Sequence, residues 1–164
     1  MSRLIPSALS PARSLAFASG PALVGALLVV LSLAGAGLAS YLAVENLQGQ
    51  SGVCTGVAHG CATVQQSAYG KLAGVPVSLP GALLYGLLVL IALAWSADWR
   101  GWRPSWAVAG AGLAFAGFAF SMYLTAIEAF VLDTWCIYCV ASALLMTALA
   151  AAWGIVTAWE SRRL

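Results

Sequence analysis

The sequence predicts an all-α integral membrane protein: a single domain over residues 1–164, built as a four-transmembrane-helix bundle with a periplasmic loop carrying a short interfacial helix. Two observations lead there. Only 7% of the residues are charged and 62% are hydrophobic, whereas a soluble domain of this size carries about 25% charged residues. So little charge cannot cover a water-facing surface, and lipid is the natural solvent. Four apolar runs are also long enough to cross a bilayer, which takes roughly 20 helical residues. Seven Trp and five Tyr fit the same picture, because both favour membrane interfaces. The basic residues form no stripe with interleaved aromatics, so no nucleic-acid partner is expected.

The first run covers residues 21–44. It follows Arg3 and Arg13 and contains an "AGAGLAS" stretch that resembles a signal-peptide cleavage site. Its apolar length exceeds the 7–15 residues of a signal-peptide core, so we expect a retained helix. The second, third and fourth runs cover residues 75–97, 106–132 and 135–159. The only charge in any of them is Glu128, about 6 Å of helix rise from the end of the third. Such a carboxylate reaches the headgroups or faces the bundle interior, and we weigh snorkelling or packing ahead of catalysis.

Orientation follows from charge. Arg3, Arg13, Arg100, Arg103, Arg162 and Arg163 fall on one side, and Lys71 alone on the other. The positive-inside rule then puts both termini in the cytoplasm. The loop over residues 45–74 and the turn at Asp133 face the periplasm, which makes the chain a multi-pass protein of the inner (plasma) membrane.

All four cysteines lie on that outer side: Cys54 and Cys61 in the loop, Cys136 and Cys139 in "DTWCIYC". Disulfides persist in such an oxidising compartment. Cys136 and Cys139 are three apart and share a helix face. With Asp133 or Thr134 as N-cap, Cys136 falls in the first turn, where the helix dipole favours its thiolate. That arrangement suits reversible thiol–disulfide exchange. Gly52, Gly56 and Gly60 leave the loop free to bring Cys54 and Cys61 together. Beyond them "CATVQQSAYGKL" has few helix breakers, hence the interfacial helix. Two bland alternatives stand beside redox exchange: a static disulfide set, and a four-cysteine zinc staple with His59 as a further ligand. Zinc pairs are usually spaced by two to four residues, and six separate Cys54 from Cys61, so no metal is expected.

In this order the features resemble the vitamin K epoxide reductase family, in its bacterial form without a fused thioredoxin-like domain. They are the paired loop cysteines, Ser67 six residues after Cys61, the "GVPVSLPGALLYG" approach to the second helix, and "WCIYC" opening the fourth. The resemblance covers about residues 24–153. It implies a four-helix bundle around a membrane quinone, ubiquinone or menaquinone, as electron acceptor. It implies that Cys139 reacts with the quinone, that Cys136 exchanges with Cys61, and that Cys54 meets a separate periplasmic thioredoxin-fold protein of DsbA type. Electrons would run from that partner through Cys54/Cys61 and Cys136/Cys139 to the quinone, supporting disulfide formation. No haem, flavin or iron–sulfur motif is present to accept them instead.

Three quinone contacts are expected. Ser67 either caps the loop helix or bonds a quinone oxygen, and its family position favours the latter. Tyr69 packs over the ring or anchors at the interface. Leu124 closes the small-residue stretch over residues 110–124, which suits both tight helix packing and a flat ring. Two polar positions of the animal enzymes are apolar here: Ala143 replaces a tyrosine and Val77 an asparagine. Plain quinone reduction is therefore expected over epoxide reduction. A quinone or vitamin K epoxide reductase proper is the nearer alternative; a zinc- or disulfide-stapled structural or transport bundle is the more distant one.

Overall fold

The computed structural model describes residues 11–49, 60–72 and 74–163, with side chains described from Gly20 onward. Cys54, His59 and the glycines at 52 and 56 lie outside the described residues, as do Arg3 and Arg13 for their side chains.

The chain forms α1 (Pro11–Leu47), the short α2 (Cys61–Gln66), a 3-10 turn (Ala68–Gly70), strands β1 (Lys71–Leu72) and β2 (Val75–Pro76), then α3 (Ser78–Ser96), α4 (Arg103–Phe130) and α5 (Ile137–Ser161). Four helical stretches are long and apolar enough to cross a membrane: Gly20–Leu47, Ser78–Ser96, Arg103–Phe130 and Ile137–Ser161. The expected all-α membrane bundle is therefore the observed architecture. α1 packs on α3 and α5, and α4 packs on the same two, so the four long helices close a ring.

Their boundaries follow local chemistry. Pro80 falls in the first turn of α3, and α4 has a proline at its first turn too; proline is tolerated there because those N–H groups have no helical partner. The turn between α3 and α4 runs through positive φ at Asp98, Arg100 and Gly101. The Arg103 side chain closes it, donating from Nε to the Trp95 carbonyl at 3.2 Å while lying over the Trp95 ring. Trp99 stacks on Trp106 at the same end, the amphipathic anchoring expected at a membrane interface.

The core is centred on two tryptophans. Trp95 and Trp153 meet edge to face, and Tyr85, Leu28, Leu88, Leu149 and Val156 are buried around them. Close approach depends on glycines: a Cβ on Gly110 would sit 2.6 Å from the Trp153 ring, and one on Gly35 would collide with the Tyr85 ring. Outward-facing Leu83, Leu87 and Leu90 of α3 are exposed, as a lipid-facing helix requires, since every backbone polar group is satisfied inside the helix itself.

Two local expectations are corrected. The β1–β2 hairpin, antiparallel with Lys71 opposite Pro76, was not foreseen; two-residue strands lie below what alternation can reveal. The start of α5 also differs. Asp133 has φ +45°, residues 133–136 are not helical, and the N-cap is Cys136 itself, in extended backbone, rather than Asp133 or Thr134. The cause is the end of α4: the Thr134 N–H donates to the Glu128 carbonyl at 3.1 Å. That bond holds the turn open, and the helix begins only after Cys136.

Candidate functional site

The site assembles where α2 and the start of α5 meet. Cys61 opens α2 and Cys136 caps α5; both are fully buried, and with Val64 they form one apolar cluster against which Leu132, Tyr138 and Cys139 pack. Gly60 makes the approach possible, since a side chain there would collide with Thr134. Cys61 is disulfide-bonded, while Cys136 and Cys139 are free thiols. Cys139, the third residue of α5, packs on this cluster and also lines a cavity.

That cavity has a volume of about 340 Å³, within the size of small-molecule sites. Leu38 and Leu42 of α1, Leu84 of α3, Phe120 and Leu124 of α4 and Met146 of α5 make most of its wall apolar. The segment between α1 and α3 contributes Gln65 and Tyr69. Among the described residues six buried side-chain N or O atoms have no hydrogen-bond partner. Three of them, Gln65 Nε2, Ser78 Oγ and Glu128 Oε1, belong to residues on this wall. An apolar hole with a few unpaired donors and acceptors suits a flat, mostly apolar ligand bearing carbonyl oxygens, because leaving such groups unpaired is costly.

The expected contacts divide accordingly. Tyr69 and Leu124 line the cavity, and Ser67 does not. The Ser67 hydroxyl donates to the Val64 carbonyl at 2.7 Å and accepts from the Gly70 N–H at 3.2 Å, capping the 3-10 turn. Val77 is on the wall, whereas Ala143 is buried behind it. Two polar residues on the wall, Asn46 and Gln65, were not singled out from the sequence. Asn46 Nδ2 donates to Gln65 Oε1 at 3.0 Å and to the Leu42 carbonyl at 2.8 Å, which fixes the Gln65 amide with its Nε2 unspent. The signal was present: Gln65 is four residues from Cys61, one helical turn along the same face.

Glu128 is the larger surprise. It does not snorkel: it is 1% exposed, and its Oε2 accepts from the Cys136 backbone N–H at 3.1 Å. A carboxylate oxygen of Glu128 and the sulfurs of Cys136 and Cys139 all lie within 4.8 Å of one another. Three such ligands fall short of the four of a structural zinc site, and Cys61 is committed to its disulfide.

The Cys136 thiol is lowered from 9.0 to about 7, chiefly by the Cys139 thiol donating to its sulfur. Burial and the Glu128 charge oppose this shift. The backbone N–H groups of Cys139 and Tyr138 assist it without closing to a capping hydrogen bond. The thiolate is the nucleophile, so alkylation of reduced protein, mapped at Cys136, should slow tenfold per unit of acidification below about pH 7 and level off above it. Replacing Cys139 with Ala should move that midpoint upward. An unchanged midpoint would remove Cys139 as the cause.

A helical membrane bundle that sets a free Cys-x-x-Cys pair between a third cysteine and an apolar cavity defines a membrane dithiol protein. The profile of the vitamin K epoxide reductase family matches residues 26–153. The chain belongs to the vitamin K epoxide reductase family, and membership makes it a membrane oxidoreductase. A search of curated proteins returned no match.

Proposed function

We propose that the chain oxidises a periplasmic thioredoxin-fold protein of DsbA type and passes the two electrons to a membrane quinone, with both termini in the cytoplasm and the cysteines outside. The observation that carries this reading is the divided setting of the motif: Cys136 packs against Cys61, and Cys139 opens onto the cavity. In this reading one sulfur exchanges with the loop, and its neighbour meets the acceptor.

A partner thiolate attacks Cys54 of the loop disulfide, which forms a mixed disulfide and frees the Cys61 thiolate; the partner's second thiol then displaces Cys54 and leaves as the disulfide. Cys61 attacks the Cys136–Cys139 disulfide at Cys136 and frees Cys139. Cys54 then displaces Cys136, whose lowered thiol makes it the better leaving group, so the loop is again a disulfide and the motif is a dithiol that carries the two electrons. A quinone supplies the two-electron acceptor. Tyr69 and Leu124 pack its ring, Gln65 Nε2 donates to a carbonyl oxygen, and Ser67 holds the loop turn that carries Tyr69. The apolar Val77 and Ala143 favour a plain quinone over an epoxide.

The test is direct. Purified protein should oxidise a reduced thioredoxin-fold protein only when quinone is added, with one quinone consumed per disulfide formed. Thiols that never change state with quinone or dithiol would leave a stapled structural bundle. A narrower prediction concerns Gln65. A buried hydrogen bond contributes about 1 kcal/mol, so Gln65→Leu should raise the KM for quinone about fivefold and leave partner exchange intact. Steady-state titration of quinone checks this, and an unchanged KM would place the ligand elsewhere.

A further inference from the structure

We infer that Glu128 is a catalytic residue of the electron-transfer step, the base that takes the Cys139 thiol proton and returns it to the reduced quinone. The inference rests on the proposed quinone reaction and assigns a proton path to it. Three observations carry it. Glu128 is 1% exposed yet lines the cavity. One carboxylate oxygen is held by the Cys136 N–H, while the other, Oε1, is buried with no partner. Both motif sulfurs lie within 4.8 Å of the carboxylate.

An unpaired carboxylate oxygen in an apolar setting is costly, and its retention beside two thiols calls for a use. The chemistry supplies one. Oxidation of the dithiol forms the Cys136–Cys139 S–S bond and releases two electrons to the quinone. The Cys139 S–H bond breaks in that step, and its proton needs an acceptor on the cavity wall. The titratable groups sharing the wall with Glu128 are Tyr69, Tyr85, Tyr138 and Cys139, with Cys136 behind. Among the described residues Glu128 is the one carboxylate on the wall, and no cationic side chain lines the cavity. With Cys136 already a thiolate, one proton moves from Cys139 to Glu128 and on to a quinone oxygen. The second hydroquinone proton comes from solvent and replaces the one that Cys136 released on ionising. Atoms and charge then balance as thiolate, thiol, quinone and one solvent proton become disulfide and hydroquinone.

The bond to the Cys136 N–H gives Glu128 a positioning role as well, and the experiment separates the two. Glu128→Gln keeps an acceptor oxygen for that N–H and removes the base; Glu128→Asp keeps a base on a shorter arm. Reduced protein is mixed with quinone in a single turnover, over a range of pH, and quinone affinity is measured separately by equilibrium dialysis. The expected result is a loss of about a hundredfold in rate for Glu128→Gln, as general-base catalysis provides, with affinity unchanged. Its rate should climb tenfold per pH unit above pH 8, where solvent base takes over. The original protein and Glu128→Asp should both be flat there. A rate for Glu128→Gln within threefold of the original overturns the inference, as does a lowered rate with the original pH profile or an affinity that falls in step with the rate. If the original protein reduces no quinone at all, the proposed function fails instead.

Discussion

In Cys139→Ala, quinone reduction should be abolished and a disulfide between Cys61 and Cys136 should accumulate. Cys136 keeps its place in the apolar cluster with Cys61, so it still attacks the loop. The thiol three residues on, which would displace Cys61, is gone. The effect is close to all-or-none, since no other free thiol is recorded beside Cys136 among the described residues. Peptide mapping under oxidising conditions reads it directly. Finding Cys136 fully free would contradict its assignment as the exchanging sulfur.

The second large effect separates the two loop cysteines. In Cys61→Ser, Cys54 has lost the neighbouring thiol that would release the partner, so a mixed disulfide should persist as the main species after alkylation. In Cys54→Ser, the remaining Cys61 sits buried at the start of α2 against Cys136. It should be captured there, and partner adducts should be scarce. Non-reducing gels count them. Equal yields from both variants, or more from Cys54→Ser, would reverse the proposed order of the shuttle without touching the quinone reaction.

Much of the molecule was legible because lipid imposes simple rules. A bilayer-spanning helix must be long and apolar, with its backbone polar groups satisfied within it, and all four such segments stand out from the sequence. What escaped it was set by tertiary contacts. The start of α5 is decided by the Thr134 and Cys136 amides, which bond the carbonyl and carboxylate of one residue, Glu128, on another helix. No capping pattern in "DTWCIYC" encodes that. Glu128 itself was visible as the single charge in the third run, but its distance from the helix end fits headgroup contact and burial equally. Only packing against Cys136 decides between them. Gln65 was passed over for a different reason: its spacing from Cys61 is a signal, but "TVQQS" offers two adjacent glutamines, and the Asn46 side chain selects the first.

That selection ties two properties of α2 together. Its first residue carries the loop disulfide, and one turn later Gln65 offers its amide to the cavity. A helix of six residues has little freedom to move one without the other. The oxidation state of the loop and the affinity of the cavity are then thermodynamically linked, and linkage is reciprocal. If oxidised loop binds quinone tenfold more tightly than reduced loop, a saturating quinone analogue lowers the loop's midpoint potential by about 30 mV, the two-electron equivalent of a factor of ten. A redox titration of the loop with and without the analogue measures that shift. In this protein, a full quinone pool would bias how readily the loop accepts electrons before any transfer takes place.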